Sequence, residues 1–427
     1  MRLTRPIRLA GALLAPLLVT GAIIAQTGAA SAGTSGGGHG TLYVSPSARS
    51  HDSDRSCRSA AYKTIGSAVQ AAPAWGTVVV CPATYHEQVV VAKPLSLTGL
   101  KATVDEKGVT PGLVVTIPGI GKQTIFAGVV IASSHVSFRG FTVRNAEGEG
   151  ILAAGLSGDL YGLSITHNTV MHNDLGGGVP PASKYFECAA EGQAPGDCGE
   201  GIHLVAVAYS VVSGNLSADN SGGMLLTDET GPTHNNLIAD NVVTGNATDC
   251  GITVPGHSPH ALNSKGVPQP SVAGVYDNVI RNNVVTSNGL KGDGAGVLFA
   301  NATAGTASYD NLVEYNYIAD NGLSGVTMHA HTIAKGQHED LSGNTIIDNT
   351  IGKNNIDGDP LDSPASPKDL QTTGVLVFSG GTPVSVRIAH NHILDNTIGV
   401  WLSKPVTASG LKTNTFTNVK IPVSANH

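Results

Sequence analysis

One four-residue pattern recurs along this chain and leaves it little choice of fold. A Gly is followed by an aliphatic residue or Met, then a variable position, then usually another apolar residue. It stands as "GILA" at Gly150, "GIHL" at Gly201, "GMLL" at Gly223 and "GITV" at Gly251, then as "GVLF" at Gly296, "GVTM" at Gly325, "GVLV" at Gly374 and "GVWL" at Gly399. Each unit adds an Asn, four residues and a second Asn. These pairs are Asn168/Asn173, Asn215/Asn220, Asn241/Asn246, Asn283/Asn288, Asn316/Asn321, Asn344/Asn349 and Asn391/Asn396, with a shortened copy at Asn414/Asn418. The shortest unit runs 22 residues, from Gly201 to Gly223, and longer units differ by insertions. Short alternating strands between Gly and Asn turns, repeated at this length, describe a β-solenoid. A leucine-rich repeat has a similar period, but the Leu ladder and the helical segments are missing. Asn tolerates left-handed backbone, and stacked amides bond from coil to coil, so the Asn pairs read as structural.

A chain of 427 residues would ordinarily divide into two or three domains. A solenoid need not, because each unit contacts only its neighbours. Residues 1–32 read as a secretory leader, with Arg2, Arg5 and Arg8, an apolar stretch and a small-residue cleavage site at Ala30-Ser31-Ala32. Residues 33–127 then form a cap and the first coils, and 128–427 the repeats. No later run is long and apolar enough for a membrane span. The formal net charge is −7, and −10 without the three leader arginines. That balance, with no Lys/Arg runs, excludes nucleic acid and anionic membranes as natural partners. A secreted, monomeric protein is expected. Export invites disulfides: Cys57 with Cys81 and Cys188 with Cys198 are local candidates, leaving Cys250 as a buried thiol.

The segment "YKTIGSAVQAAPAWGTVVVCPATYHEQVVVAKPLSLTGL", residues 62–100, resembles the opening of the pectin-lyase-like right-handed parallel β-helix superfamily. The resemblance implies a short amphipathic helix over about Thr64–Ala72 capping the solenoid, then a strand, a "P-x-T-Y-x-E" turn and the first coil. The Gly/Asn coils are similar to those grouped with periplasmic copper-site accessory proteins. The fold class is therefore all-β, a right-handed parallel β-helix with an N-terminal capping helix. The superfamily holds lyases, hydrolases, esterases, epimerases and adhesins, so fold alone does not give function.

Stacking the units locates the chemistry. Neighbouring coils lie about 4.8 Å apart. The first and third residues after each signature Gly are apolar and face inward, so the second, fourth and sixth face outward. These outward positions are apolar in the first and last units and polar in the middle ones. His203, Thr227, Glu229, His257, His329 and His331 fall on one patch, with Asp228 and Asn301 at its edge. Glu229 stands in register beside His257 of the next coil. Asp228, its neighbour, falls at the turn or faces inward. Long insertions border the same face and would wall a groove.

A carboxylate–imidazole patch suits three chemistries. Glycoside hydrolysis needs two carboxyls, for which Glu229 with Asp228 or Glu200 are available. Elimination from a uronate needs a base, His257 or His331, and a cation for the sugar carboxylate, Lys265 or Lys335. His257, His329, His331 and Glu229 are also legitimate zinc or copper ligands, but no metal spacing motif is present, so no metal or other cofactor is assigned. The reading is a polysaccharide-cleaving enzyme with Glu229, His257, Asp228 and His331 as catalytic groups. His203, Thr227, Asn301, His329, Lys265 and Lys335 would bind the substrate. The alternatives are a metal-binding accessory protein and a non-catalytic glycan-binding or cell-wall-associated protein; the latter predicts exposed aromatics, with Trp401, Phe378, Tyr185 and Phe186 as candidates.

Overall fold

The computed structural model describes residues 40–49, 53–117, 121–156, 158–174, 199–291, 294–301, 303–330, 337–356 and 372–425. Within them the chain winds as a right-handed parallel β-helix. Eleven parallel strands, from Val89–Val91 to Ile421–Ala425, stack in strict chain order as one sheet carrying the Gly signature. A five-stranded sheet of two-residue strands, Leu160–Tyr161 to Ser308–Tyr309, forms a second side. The remaining side is a 21-stranded sheet that takes two short strands from most coils.

The inward positions build the core as alternation requires. Ile151, Ile202, Met224, Ile252 and Val297 form one interior column, and Ala153, Leu204, Leu226, Val254 and Phe299 the next, all within one cluster. Each fully buried aliphatic side chain contributes about 1.5–3 kcal/mol. The signature glycines are set by close approach. A Cβ on Gly223 would lie 2.1 Å from the carbonyl oxygen of Gly251 in the next coil.

The Asn ladders are continuous and buried. Asn241 shows the pattern: its backbone N–H and Nδ2 both donate to Asn283 Oδ1 at 3.0 Å, and Nδ2 also donates to Val212 O. The pairing differs from the sequence expectation in three ways. Asn349 and Asn354 continue the two expected ladders, while Asn344 belongs to a third with Asn236, Asn278 and Asn311. Asn418 lies outside them, exposed and bonded to Asp395. The left-handed backbone falls one residue earlier, at positions such as His167, Asp240, Asn282 and Tyr315. The ladder Asn is thus kept for its amide, and the turn is made by its predecessor.

The capping helix spans Ile65–Ala71, with Thr64 and Ala72 as its caps. Ile65, Ala68 and Val69 seal the core's first coil. Glu87 accepts hydrogen bonds from the Ile65 and Gly66 N–H groups, and Lys93 Nζ donates to the Gln70 and Ala72 carbonyls. A carboxylate at the N-terminus and an ammonium at the C-terminus both suit the helix dipole. Cys57 and Cys81 form a disulfide beside this cap. Cys188 and Cys198 lie outside the described residues. Cys250 is a buried thiol whose sulfur accepts a hydrogen bond from Ala295 N–H.

Candidate functional site

The outward positions of the eleven-stranded sheet are apolar at both ends. Leu152, Ala154 and Val205 pack with Val115 and Ile125 near the start. Leu376, Phe378 and Trp401 cluster near the end. Between them the sheet carries a run of hydrogen-bonded polar side chains. Glu149 Oε1 lies 2.9 Å from His203 Nδ1, and His203 Nε2 lies 2.9 Å from Thr227 Oγ1. The Thr227 hydroxyl donates to Glu229 Oε2, and Glu229 Oε1 lies 2.6 Å from His257 Nδ1. The run crosses the sheet diagonally. His203, Thr227 and Glu229 are the second, fourth and sixth residues of their units, and each step moves sideways, upward or both.

Exposure changes along this run. His203 and Thr227 are both 0% exposed, whereas the Glu229 and His257 side chains reach 11% and 6%. The buried end therefore supports an end that meets the surface. Burial pushes the Glu229 carboxyl towards the protonated form. The charge and hydrogen bond of His257, the charge of His203 and the Thr227 hydroxyl outweigh it and hold the carboxyl below its usual range. Ionised Glu229 accepts from His257 Nδ1–H, which leaves Nε2 as the basic nitrogen of a neutral His257 ring.

Asp228 points the other way and is fully buried. Its Oδ1 accepts from the N–H groups of His257 and Ser258 at 2.7 and 3.0 Å, and its Oδ2 from Gly274 N–H at 2.7 Å. It therefore ties both ends of the 257–274 loop to the coil below. The same bonds orient His257. Burial, then the charge of Glu229, raise its carboxyl to about 6 against these donors. Its placement is that of a positioning group and not of one reaching a ligand.

The other expected site residues separate into groups. His203 and Thr227 belong to the buried run, where they support Glu229 and do not reach the surface. Asn301 is fully buried and donates through Nδ2 to Asp340 O. His329, 3% exposed, pairs in register with Ala300 and Phe378 and stands two strands beyond the His257 coil. The structure does not bring it to Glu229. Lys265 is exposed in a turn where its N–H donates to the Asn263 side chain. His331 and Lys335 lie outside the described residues, as do 175–198 and 357–371 from the long insertions.

The sequence reading missed Glu149. It passed over Glu200 as a member of the same group, naming it only as a possible second carboxyl. Both immediately precede a signature Gly. Strict alternation puts that place inside, but the strand bends at the glycine. In the preceding unit Ala127 and Val130 both join the outer cluster while Val129 faces the core. Glu149, Glu200 and His203 each offer a ligand atom, all within 4.8 Å of one another. The readable signal was "EGI" in two successive units.

Aromatics are exposed on a different side from the one expected. Trp401 and Phe378 are buried at 4%, and Tyr185 and Phe186 lie outside the described residues. Trp75, His135 and Tyr161 instead form a file with ring centroids 5.2 and 4.9 Å apart. Tyr209 lies against His234 at 5.3 Å, in a second group of rings that runs on to Tyr276 and Tyr309. Trp75, Tyr161 and Tyr209 are each at least half exposed.

With this geometry in view, the comparisons with known proteins can be placed. The family model described as "Protein of unknown function (DUF1565)" matches residues 49–283, more than half of the chain. The chain belongs to the DUF1565 family. A search of curated proteins finds no match to this DUF1565 protein. Among solved structures it is similar to GH136 lacto-N-biosidase from Eubacterium ramulus, at 12% identity and a TM-score of 0.52, covering 90% of this chain and 68% of that one. It is also similar to a mannuronan C-5 epimerase A-module from Azotobacter vinelandii, at 17% identity and a TM-score of 0.48, covering 85% and 90%. Pectate lyase Pel9A follows at 14% identity and a TM-score of 0.45, covering 88% and 78%. At these identities the likeness is one of fold. The DUF1565 chain thus shares the pectin-lyase-like β-helix, and its site has to be argued from its own residues.

Proposed function

We propose that this DUF1565 protein is a secreted carbohydrate-active enzyme that cleaves an extended polysaccharide, with elimination as the favoured chemistry. The observation that carries the reading is the Glu229–His257 pair, 2.6 Å apart where the buried run reaches the surface. A base oriented by a fixed carboxylate is the arrangement that proton abstraction needs. Glu229 holds the ring and stabilises the imidazolium that forms, while Nε2 of His257 takes the C5 proton beside a uronate carboxyl; the electron pair left behind forms the C4–C5 double bond as the C4–O bond breaks, and the leaving oxygen takes a proton from water. Elimination is favoured over hydrolysis because, among the described residues, a second carboxyl is not at hand. Asp228 is occupied by three backbone donors, and Glu149 and Glu200 are buried. A carbohydrate substrate is in keeping with the lacto-N-biosidase named among the fold neighbours.

The test is a polysaccharide panel assayed both for new reducing ends and for the ultraviolet absorbance of unsaturated uronates. Wild type should form unsaturated product on an acidic glycan, and Glu229→Gln and His257→Ala should each lose at least about 100-fold in rate. Reducing ends without unsaturation would replace elimination by hydrolysis. No product on any glycan would leave the second reading, a non-catalytic glycan-binding protein. The exposed rings of Trp75, His135 and Tyr161 support that reading, because neighbouring aromatic faces on one side of a solenoid suit stacked sugars.

A further inference from the structure

Glu149 and Glu200 occupy the same place in successive units, one residue before the signature Gly, and are 2% and 1% exposed. His203 beside them is 0% exposed. Like charges opposite one another on neighbouring strands repel, and withdrawing each carboxylate from water costs several kcal/mol. The neighbouring hydrogen bonds decide how His203 meets these carboxylates. The single hydroxyl hydrogen of Thr227 goes to Glu229, so Thr227 Oγ1 accepts, and the donor is His203 Nε2–H. The charged ring that helps to hold Glu229 low donates from Nδ1 to Glu149 Oε1, 2.9 Å away, and a ring that gives up this proton turns the Nδ1 lone pair to the same place; Glu149, Glu200 and His203 each offer one ligand atom within 4.8 Å of the others.

Three ligand atoms from different side chains thus converge in the interior. A cation among them relieves the carboxylate repulsion and takes the place of the Nδ1 proton. Two donors bound at about 2.1 Å to one ion stand roughly 3 Å apart, which the 2.9 Å spacing of Nδ1 and Oε1 already meets. The other ring nitrogen of His203 is bonded to a hydroxyl, and such outer bonds fix the tautomer of metal-binding imidazoles. We infer that Glu149, Glu200 and His203 bind one divalent transition-metal ion. One imidazole with two carboxylates favours the zinc or manganese class over calcium. This site is distinct from the Glu229–His257 pair and does not depend on that pair being catalytic.

The test uses the full chain, stripped with a chelator, dialysed and loaded separately with Zn2+ and Mn2+. Elemental analysis after gel filtration gives the stoichiometry, and thermal unfolding gives the stabilisation. One equivalent per chain is expected, with a Tm raised by several degrees. Glu200→Gln should abolish both effects, Glu149→Gln should weaken binding at least ten-fold, and Glu229→Gln should leave binding intact. Wild type that retains neither ion and shows no Tm shift overturns the proposal, leaving a shared proton in the ion's place. An equivalent of metal that persists in Glu200→Gln also overturns it, since the ion then sits elsewhere. Should the variants fail to fold, Co2+-loaded wild type decides the matter. Visible bands of a low-coordinate nitrogen–oxygen site support the proposal, and the faint spectrum of the hydrated ion refutes it. Because every readout is binding or stability, a negative result here and a negative polysaccharide panel remain separable.

Discussion

Thr227 has one hydroxyl hydrogen and stands between two groups that compete for it. By donating to Glu229 and accepting from His203 it gives the whole run a direction, so its loss should be felt at both ends. Thr227→Val keeps the shape but leaves a buried His203 N–H without its acceptor, at a cost of about 1–3 kcal/mol in chemical denaturation. Glu229 loses one of the groups that stabilise its charge. Its carboxyl should therefore titrate at a higher pH, moving the acidic limb of any activity profile upward. Thr227→Ser restores the hydroxyl and should reverse both effects; an unshifted limb in Thr227→Val would show that the run does not reach Glu229. This surface end of the site was legible in sequence because Glu229 and His257 are each the sixth residue after a signature Gly. The inner end was not. Strict alternation puts the residue before the glycine inside, but the bend there turned Glu149 and Glu200 to the outer face of the strand, still buried, against the period of two.

Among structural elements, the Asn ladder was the plainest in sequence and still the place where register slipped. Identical residues five apart allow more than one pairing, and Asn344, Asn349 and Asn354 stand at five-residue intervals. Only the stacking partners, Asn311, Asn316 and Asn321, decide which belongs where. The ladder's worth depends on burial. Asn241 is 1% exposed, accepts from Asn215 N–H and Nδ2, and donates to Asn283 and Val212. Asn241→Ala strands a buried N–H and a buried carbonyl in adjacent coils. We expect a loss of about 2–5 kcal/mol, made of two or more unsatisfied groups at roughly 1–3 kcal/mol each. Asn418→Gly keeps the left-handed backbone at φ 58°, removes only an exposed bond to Asp395 and should change stability by less than about 0.5 kcal/mol. Equal effects in thermal or urea unfolding would mean that the amide stack is decorative. The capping helix was legible by another route. The resemblance of residues 62–100 to the opening of the β-helix superfamily implied it, and its buried face of Ile65, Ala68 and Val69 has the helical spacing that such a cap needs.

The whole molecule carries its ionisable groups in an order that sets its response to pH. Burial, with help from Glu147, raises the Glu106 carboxyl to about 8. Burial, opposed by a Ser221 hydrogen bond and aided by Glu147, raises Asp174 to about 7. Asp228 is raised to about 6. In each case the folded chain holds a proton that the unfolded chain has released at the same pH. Stability from these groups is therefore fully present below pH of about 4 and is lost as pH rises through each folded value. Two groups act in the opposite sense. Glu229 is held low by His257, His203 and Thr227 against its burial, and Asp105 by Asn145, the Lys107 N–H and Arg144 against its own. Their contribution is present above the ordinary carboxylate range and is lost as pH falls through their lowered values. The two sets leave a maximum between them, so thermal stability should peak at mildly acidic pH and decline steadily towards pH of about 8. Glu106→Gln tests this at the upper edge. It removes the group that ionises last, so the fall between about pH 7 and 8 should flatten, while the fall near pH 6 should persist. A wild-type Tm that rises through that range would mean that these carboxyls are already ionised in the folded chain.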